Sequence, residues 1–280
     1  MTPRRTLAQD VTVSGTALHS GVPVTMTLSP ALAGQGIVFR RTDLNRDIPA
    51  RFDRVSETRL GTVIGEGEAK VGVVEHLMAA AAGVEIDDLL VSLDGPEPPI
   101  LDGDALSYLA LLEKGGVAEL ESPRLLLKVR KPVRVEKGEA RAALLPSDRR
   151  SFAYELNFPV IGEQYYEFAF SRAGFKAEIA PARTFGFLHE LESLNKMDLA
   201  KGASLANTLA LDDTGVINRE RQRFADEFVR HKILDAIGDM ALAGAPLIAR
   251  FEGQKSGHTT NNALLRALFA DPANFDWVEP

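Results

Sequence analysis

His231 and Asp235 stand four residues apart in Arg230-His231-Lys232-Ile233-Leu234-Asp235. On a helix that interval leaves the two side chains roughly 40° apart around the axis, so both can point to one site. The same spacing also describes an ordinary i, i+4 ion pair on a helix surface. Glu75 and His76 adjoin at the start of an alanine-rich stretch. There His76 could supply a further ligand and Glu75, on another azimuth, could face a bound water. An acidic residue in a first helical turn is also what the macrodipole favours, so the pair alone does not decide. Combined, two imidazoles and one carboxylate with an open fourth position form a hydrolytic zinc arrangement, in which a neighbouring glutamate is the usual general base.

Further candidates lie around these four. Lys255-Ser256-Gly257-His258 sets a histidine in a glycine-flanked turn, and loops commonly carry function. Asp239, eight residues beyond His231, falls about 80° around the helix, near enough to orient or charge-stabilise an imidazole, for which His258 is the candidate. Arg183-Thr184-Phe185-Gly186-Phe187 combines a cation, a hydroxyl and aromatics; it reads as an oxyanion donor set or as core aromatics around a glycine turn. His19 and His189 read as structural histidines on residue type alone. Cysteine is absent, so thiolate zinc sites, iron–sulfur clusters and cysteine nucleophiles are excluded and any metal must use His, Asp or Glu.

Positioning these groups requires regular elements. The segment Val74 to Ala82 has high helix propensity, with Gly83 placed to end it in a left-handed cap. A second helix is expected from Asp104, as N-cap, to Gly115–Gly116, a third over Asp226 to Ala243, and a fourth over Asn261 to Phe269. Val24, Met26 and Leu28 alternate with threonines, a half-buried strand. Ile37–Arg40, Leu89–Leu93, Leu125–Val135, Ala140–Leu145, Phe152–Phe158 and Tyr166–Phe170 read as further strands, and Asp94 to Pro99 as a rigid loop. Val117 to Pro123, short, charged and closed by proline, suits a linker. The boundary is therefore placed near Glu121, giving domains 1–121 and 122–280. Strands followed by helices in each half indicate α+β domains with antiparallel sheets.

The chain's 280 residues agree with about two domains, and its 45% hydrophobic and 25% charged composition excludes disordered and collagen-like classes. A net charge of −7 argues against nucleic-acid binding, which needs a basic face, so an anionic ligand must be held by local charges. Met1 to Asp10 has no apolar leader core, and the longest near-apolar run, Leu77 to Val84, is far too short to span a membrane. The cytoplasm is the expected location.

Taken together, several ordered blocks resemble the UDP-3-O-acyl-N-acetylglucosamine deacetylase family. They are Leu18-His19-Ser20-Gly21, Val74-Glu75-His76-Leu77, Asp94-Gly95-Pro96-Glu97-Pro98-Pro99-Ile100-Leu101-Asp102-Gly103, Ala182-Arg183-Thr184-Phe185-Gly186, Glu227 through Asp239, and Lys255-Ser256-Gly257-His258 followed by Asn261-Asn262. The resemblance covers nearly the whole chain. It implies a zinc-dependent amidase of lipid A synthesis in Gram-negative bacteria, which releases acetate from the sugar nitrogen of UDP-3-O-acyl-GlcNAc. It implies two similar α+β domains with the helices sandwiched between the sheets and the site at their junction. An insert within Leu188 to Thr214 would form an apolar passage for the acyl chain, and the protein would be a monomer.

By the same resemblance His76, His231 and Asp235 would be zinc ligands and Glu75 the base. Thr184 would assist the oxyanion, and His258, oriented by Asp239, would stabilise charge or donate a proton. Lys232 and Lys255 would approach the polar head group, Phe185 would pack near sugar or acyl chain, and Leu60 and His19 would lie close by. Iron(II) also suits two imidazoles and a carboxylate. The chain departs from the family's commonest pattern at Gly61, where many members carry a cysteine, so a second zinc held through a thiolate is excluded. Val73 and Asp104 stand where threonine and serine are frequent. Two other readings fit the same fold: an inactive nucleotide-sugar or lipid-binding homologue, and a metal amidase for another acylated substrate.

Overall fold

The computed structural model describes residues 2–280; Met1, at the start of the segment read for a leader, lies outside them. The strand Pro23–Pro30 buries Val24, Met26 and Leu28 on one face, as its alternation requires. It lies in a five-stranded sheet ordered Val11–Thr16, Pro23–Pro30, Leu89–Leu93, Ile37–Arg41, Arg46–Pro49. All pairs in it are antiparallel except Ile37–Arg41 with Leu89–Leu93. The second half builds a seven-stranded sheet around Leu247–Gln254, which pairs with Ala140–Pro146, Leu126–Val129 and Ser151–Phe158. In Leu247–Gln254 strict alternation turns Leu247, Ala249, Phe251 and Gly253 inward.

The longer helices are α1 (Glu75–Val84), α2 (Leu106–Gly115), α3 (Leu188–Lys196), α4 (Glu227–Ala241) and α5 (His258–Ala270). At the centre α1 packs on α4. Helix α2 lies against α1 and the first sheet, while α4 and α5 lie against the second, so helices fill the space between the sheets and one apolar core runs through both halves. The α1–α4 contact depends on Gly238: a Cβ there would fall 2.0 Å from the Glu75 carbonyl oxygen. A side chain at that position would force the helices apart, at roughly 1–3 kcal/mol for overpacking. No helix among the described residues is long and apolar enough to cross a membrane.

Several local expectations need correction. Val117–Pro123 is a strand, paired antiparallel with Pro3–Leu7; its partner lies at the far end of the sequence, so nothing local signals the pairing. Leu125 to Val135 is two strands, Leu126–Val129 and Val133–Lys137, broken where Pro132 removes an N–H from the ladder. Gly83 lies inside α1 and leaves room for the Phe175 ring, which a Cβ would meet at 2.3 Å. The left-handed cap is Glu85, at φ 60°. Asp104 does cap α2, its Oδ1 accepting the Ser107 N–H at 3.0 Å. Asp226 sits at the N-cap of α4 without capping it, because its carboxylate pairs with Arg230 at 2.6 Å. His258 opens α5 instead of standing in a loop before it.

Candidate metal centre

Helix α1 is buried on nearly every side, with alanines and Leu77 and Met78 filling the core. Its polar side chains Glu75 and His76 are confined to the first turn, and both are only 3% exposed. Helix α4 brings His231, Asp235 and Asp239, spread over little more than two turns of one face, into the same interior. His231 is held by its Nδ1–H, which donates to the Ala182 carbonyl at 3.1 Å, and its Nε2 lies 3.3 Å from Asp235 Oδ1. From α1, His76 Nε2 comes within 3.7 Å of the same oxygen, its ring edge-on to His231 at 5.0 Å between centroids. One ligand atom from each of the three lies within 4.8 Å of the others.

The protonation states separate a metal site from an ion pair. An ion pair would need a charged imidazole. Burial, then the neighbouring His231, push the His76 pKa down to about 3, and burial also lowers that of His231. Asp235 is held ionised below the usual carboxylate range: burial opposes this, but His231 and Lys232 outweigh it. His76 Nδ1 is buried without a hydrogen-bond partner among the described residues. Two neutral nitrogens and one anionic oxygen converging in a buried space are what zinc takes from a protein that leaves a position open. The residues present fit such an ion.

Glu75 and His258 flank this group. The Glu75 carboxylate accepts the Thr62 N–H at 3.0 Å, and burial raises its pKa to about 7. His258 Nε2 is 3.7 Å from Glu75 Oε1, while its Nδ1–H donates to Asp239 Oδ2 at 2.9 Å. Burial disfavours the charged imidazole, yet the Asp239 and Glu75 carboxylates prevail and push its pKa up to about 10. A carboxyl poised near neutrality beside a persistent imidazolium separates a proton acceptor from a cationic stabiliser.

The group opens into a cavity of about 520 Å³ whose lining includes Leu60, Thr184, Phe185 and Lys232. Thr184 is fixed through its backbone, donating to Gly103 O at 2.8 Å. Lys232 lies over the Phe185 ring at 5.5 Å and donates to Asp235 Oδ2 at 2.7 Å. Three predicted residues do not line it, Asp239 because it lies behind His258, to which it is hydrogen-bonded at 2.9 Å. Lys255 pairs with Glu139 at 2.8 Å on the surface, and His19 stands behind Leu60, its Nε2–H donating to the Leu60 carbonyl at 3.3 Å. Conversely, Arg59 and Lys137 line the cavity, and Thr62 and Asn261 support it, with no prior assignment. Nothing local marks Lys137, at the end of a strand, or Arg59. Asn261 falls in the block after His258 and Thr62 directly follows Gly61, but only contacts reveal their part.

The family model described as UDP-3-O-acyl N-acetylglycosamine deacetylase matches residues 4–270. Among similar curated proteins, a UDP-3-O-acyl-N-acetylglucosamine deacetylase of Myxococcus xanthus is 47% identical over 279 residues, covering 98% of this chain and 89% of that protein. Enzymes of the same name from a Nitratiruptor species and a Geobacter species are each 44% identical, covering 99% of this chain and 93% and 92% of their own lengths. With neutral imidazoles, an ionised aspartate and a buried glutamate already gathered at the junction of α1 and α4, the match extends over the residues that build the site: the chain belongs to the UDP-3-O-acyl-N-acetylglucosamine deacetylase family.

Proposed function

We propose that this protein is a zinc-dependent hydrolase that removes the N-acetyl group of UDP-3-O-acyl-N-acetylglucosamine, the deacetylation step of lipid A biosynthesis. The observation that carries the reading is the meeting of His76, His231 and Asp235 within 4.8 Å beside Glu75 and His258. Held by those three side chains, zinc would supply Lewis acidity toward the amide carbonyl and make water a stronger acid; iron(II) would suit the same donors.

The chain's own residues account for the proton movements. Glu75, as carboxylate, accepts a proton from the attacking water as its oxygen bonds to the acetyl carbon. The carbonyl oxygen gains negative charge, which the His258 imidazolium and the Thr184 hydroxyl oppose. The carbon–nitrogen bond then breaks with a proton delivered to nitrogen, because an amine anion is a very poor leaving group. His258 or the protonated Glu75 supplies it. Asp239 keeps His258 charged and oriented, Lys232 adds positive charge toward the head group, and Phe185 offers an apolar wall.

Division into 1–121 and 122–280, with an acyl passage formed by 188–214, belongs to the same reading. Its support is local: Leu188, Met197 and Leu205 are large apolar side chains left 39%, 47% and 51% exposed within that segment, as a lipid-facing wall would be. The test is acetate release from the UDP-sugar by metal-loaded protein, measured with metal content. Stoichiometric acetate and free amine are expected. UDP-sugar binding without any acetate release would instead support a binding protein on this fold.

A further inference from the structure

We propose that Thr62 is a positioning residue that locks the two proton-handling groups of the site into one geometry, its hydroxyl acting on His258 through Asp239. The inference rests on the hydrolytic reading above. Thr62 is 1% exposed, and each of its polar groups is engaged at the site. Its N–H donates to Glu75 Oε2 at 3.0 Å, its carbonyl accepts the Val74 N–H at 3.4 Å, and its hydroxyl donates to Asp239 Oδ1 at 2.6 Å. Asp239 Oδ2 is already occupied by the His258 Nδ1–H at 2.9 Å and the Asn261 amide at 2.8 Å. The Thr62 hydroxyl is thus the donor that satisfies the other oxygen of this buried carboxylate and sets its rotation.

The contacts form a closed circuit: Glu75 to Thr62, Thr62 to Asp239, Asp239 to His258, and His258 Nε2 back to within 3.7 Å of Glu75 Oε1. Glu75 and Thr62 belong to the first half of the chain and Asp239 and His258 to the second, so the circuit also ties the halves at the reacting centre. Its frame is the small sheet of Val55–Glu57, Val63–Glu66 and Ala69–Val71. The turn that Thr62 ends is pinned at its other side by the Thr58 hydroxyl, 2.8 Å from that of Thr259, next to His258. Threonine suits the position because β-branching restricts χ1 and so fixes the hydroxyl's direction, and a short bond to an ionised buried acceptor is among the stronger neutral-donor contacts.

The test separates the hydroxyl from the backbone. Thr62→Val keeps shape and N–H and removes only the hydroxyl, and Thr62→Ser keeps the hydroxyl. In metal-loaded protein, Thr62→Val should lower kcat by about 10- to 100-fold, as expected when a hydrogen bond to a charged group is lost, with KM and bound metal unchanged. Thr62→Ser should restore most of kcat. In an Asp239→Ala background Thr62→Val should cause no further loss, since the hydroxyl then has nothing to hold. Wild-type kcat in Thr62→Val, equal loss in both Thr62 variants, loss of metal, or an undiminished effect without Asp239 would each overturn the assignment. Glu75→Ala and His258→Ala run alongside: if both are inactive while Thr62→Val is normal, the Thr62 inference alone fails. A fully active Glu75→Ala would overturn the hydrolytic reading and this inference with it.

Discussion

The centre of the cavity and its rim are built differently. At the centre Glu75, His76, His231 and Asp235 are each 2–3% exposed and belong to the first turn of α1 and one face of α4, the two helices locked together at Gly238. At the rim Leu60 is 36% exposed, and Arg59 and Lys137 line the opening, while Lys255 pairs with Glu139 outside it. Charges in the interior act at low dielectric and shift each other's protonation, whereas exposed ones are screened by water and salt. The contrast favours the buried helical pair as the place of the chemistry, its geometry fixed by the close packing at Gly238. On the proposed function, head-group capture would fall to the charges around the opening.

The largest effects should come from the centre. His76→Ala, His231→Ala and Asp235→Ala should lose bound metal and turnover together, while Glu75→Ala should keep the metal and still lose about 100-fold or more, the usual loss for a general base. Elemental analysis beside turnover separates the two classes, and full metal occupancy in all three ligand variants would remove the distinction between centre and rim.

A smaller but more diagnostic effect concerns pH. In the proposed mechanism the His258 imidazolium is the useful form, and against burial the Asp239 and Glu75 carboxylates push its pKa up to about 10, so activity should fall as pH rises through that value. Glu75 must be ionised; burial puts its pKa at about 7 and a bound cation would draw it lower, so activity should rise with pH at or below neutrality. Asp239→Asn removes the carboxylate that raises His258, and the basic limb should move toward lower pH. A basic limb unmoved in that variant would show that another group sets it.

Rim charges should matter least. Arg59→Ala and Lys137→Ala should each raise KM by up to about fivefold with kcat nearly unchanged, the scale of exposed charge interactions. Added salt should weaken apparent affinity in the wild type more than in either variant. Lys255→Ala should change KM less than Lys137→Ala, because Lys255 lies off the cavity lining; the reverse order would mean that substrate reaches beyond the cavity described.

Much of the site was readable in order along the chain because helices have a fixed period. His231, Asp235 and Asp239 share a face through their spacing, and Glu75-His76 announces itself as a polar pair opening an apolar helix. Alternation likewise marked Pro23–Pro30. Where the reading went astray, the deciding contact was remote in sequence. Val117–Pro123 looked like a linker because Pro3–Leu7, its ladder partner, is over a hundred residues away, and Gly83 looked like a helix stop because the Phe175 ring that requires it arrives from the other half of the chain.

Residue types and short-range periodicity therefore determined by themselves which groups could do chemistry, that any metal must be held by nitrogen and oxygen, and which helices would carry the ligands. Tertiary structure alone decided that His76 meets His231 and Asp235, that burial lowers the pKa of both imidazoles while nearby carboxylates raise that of His258, that Lys137 and Arg59 face the cavity in place of Lys255, and that Thr62 joins Glu75 to Asp239. The reason is physical: local spacing sets direction around an element's own axis, but distance, burial and protonation depend on which elements pack together.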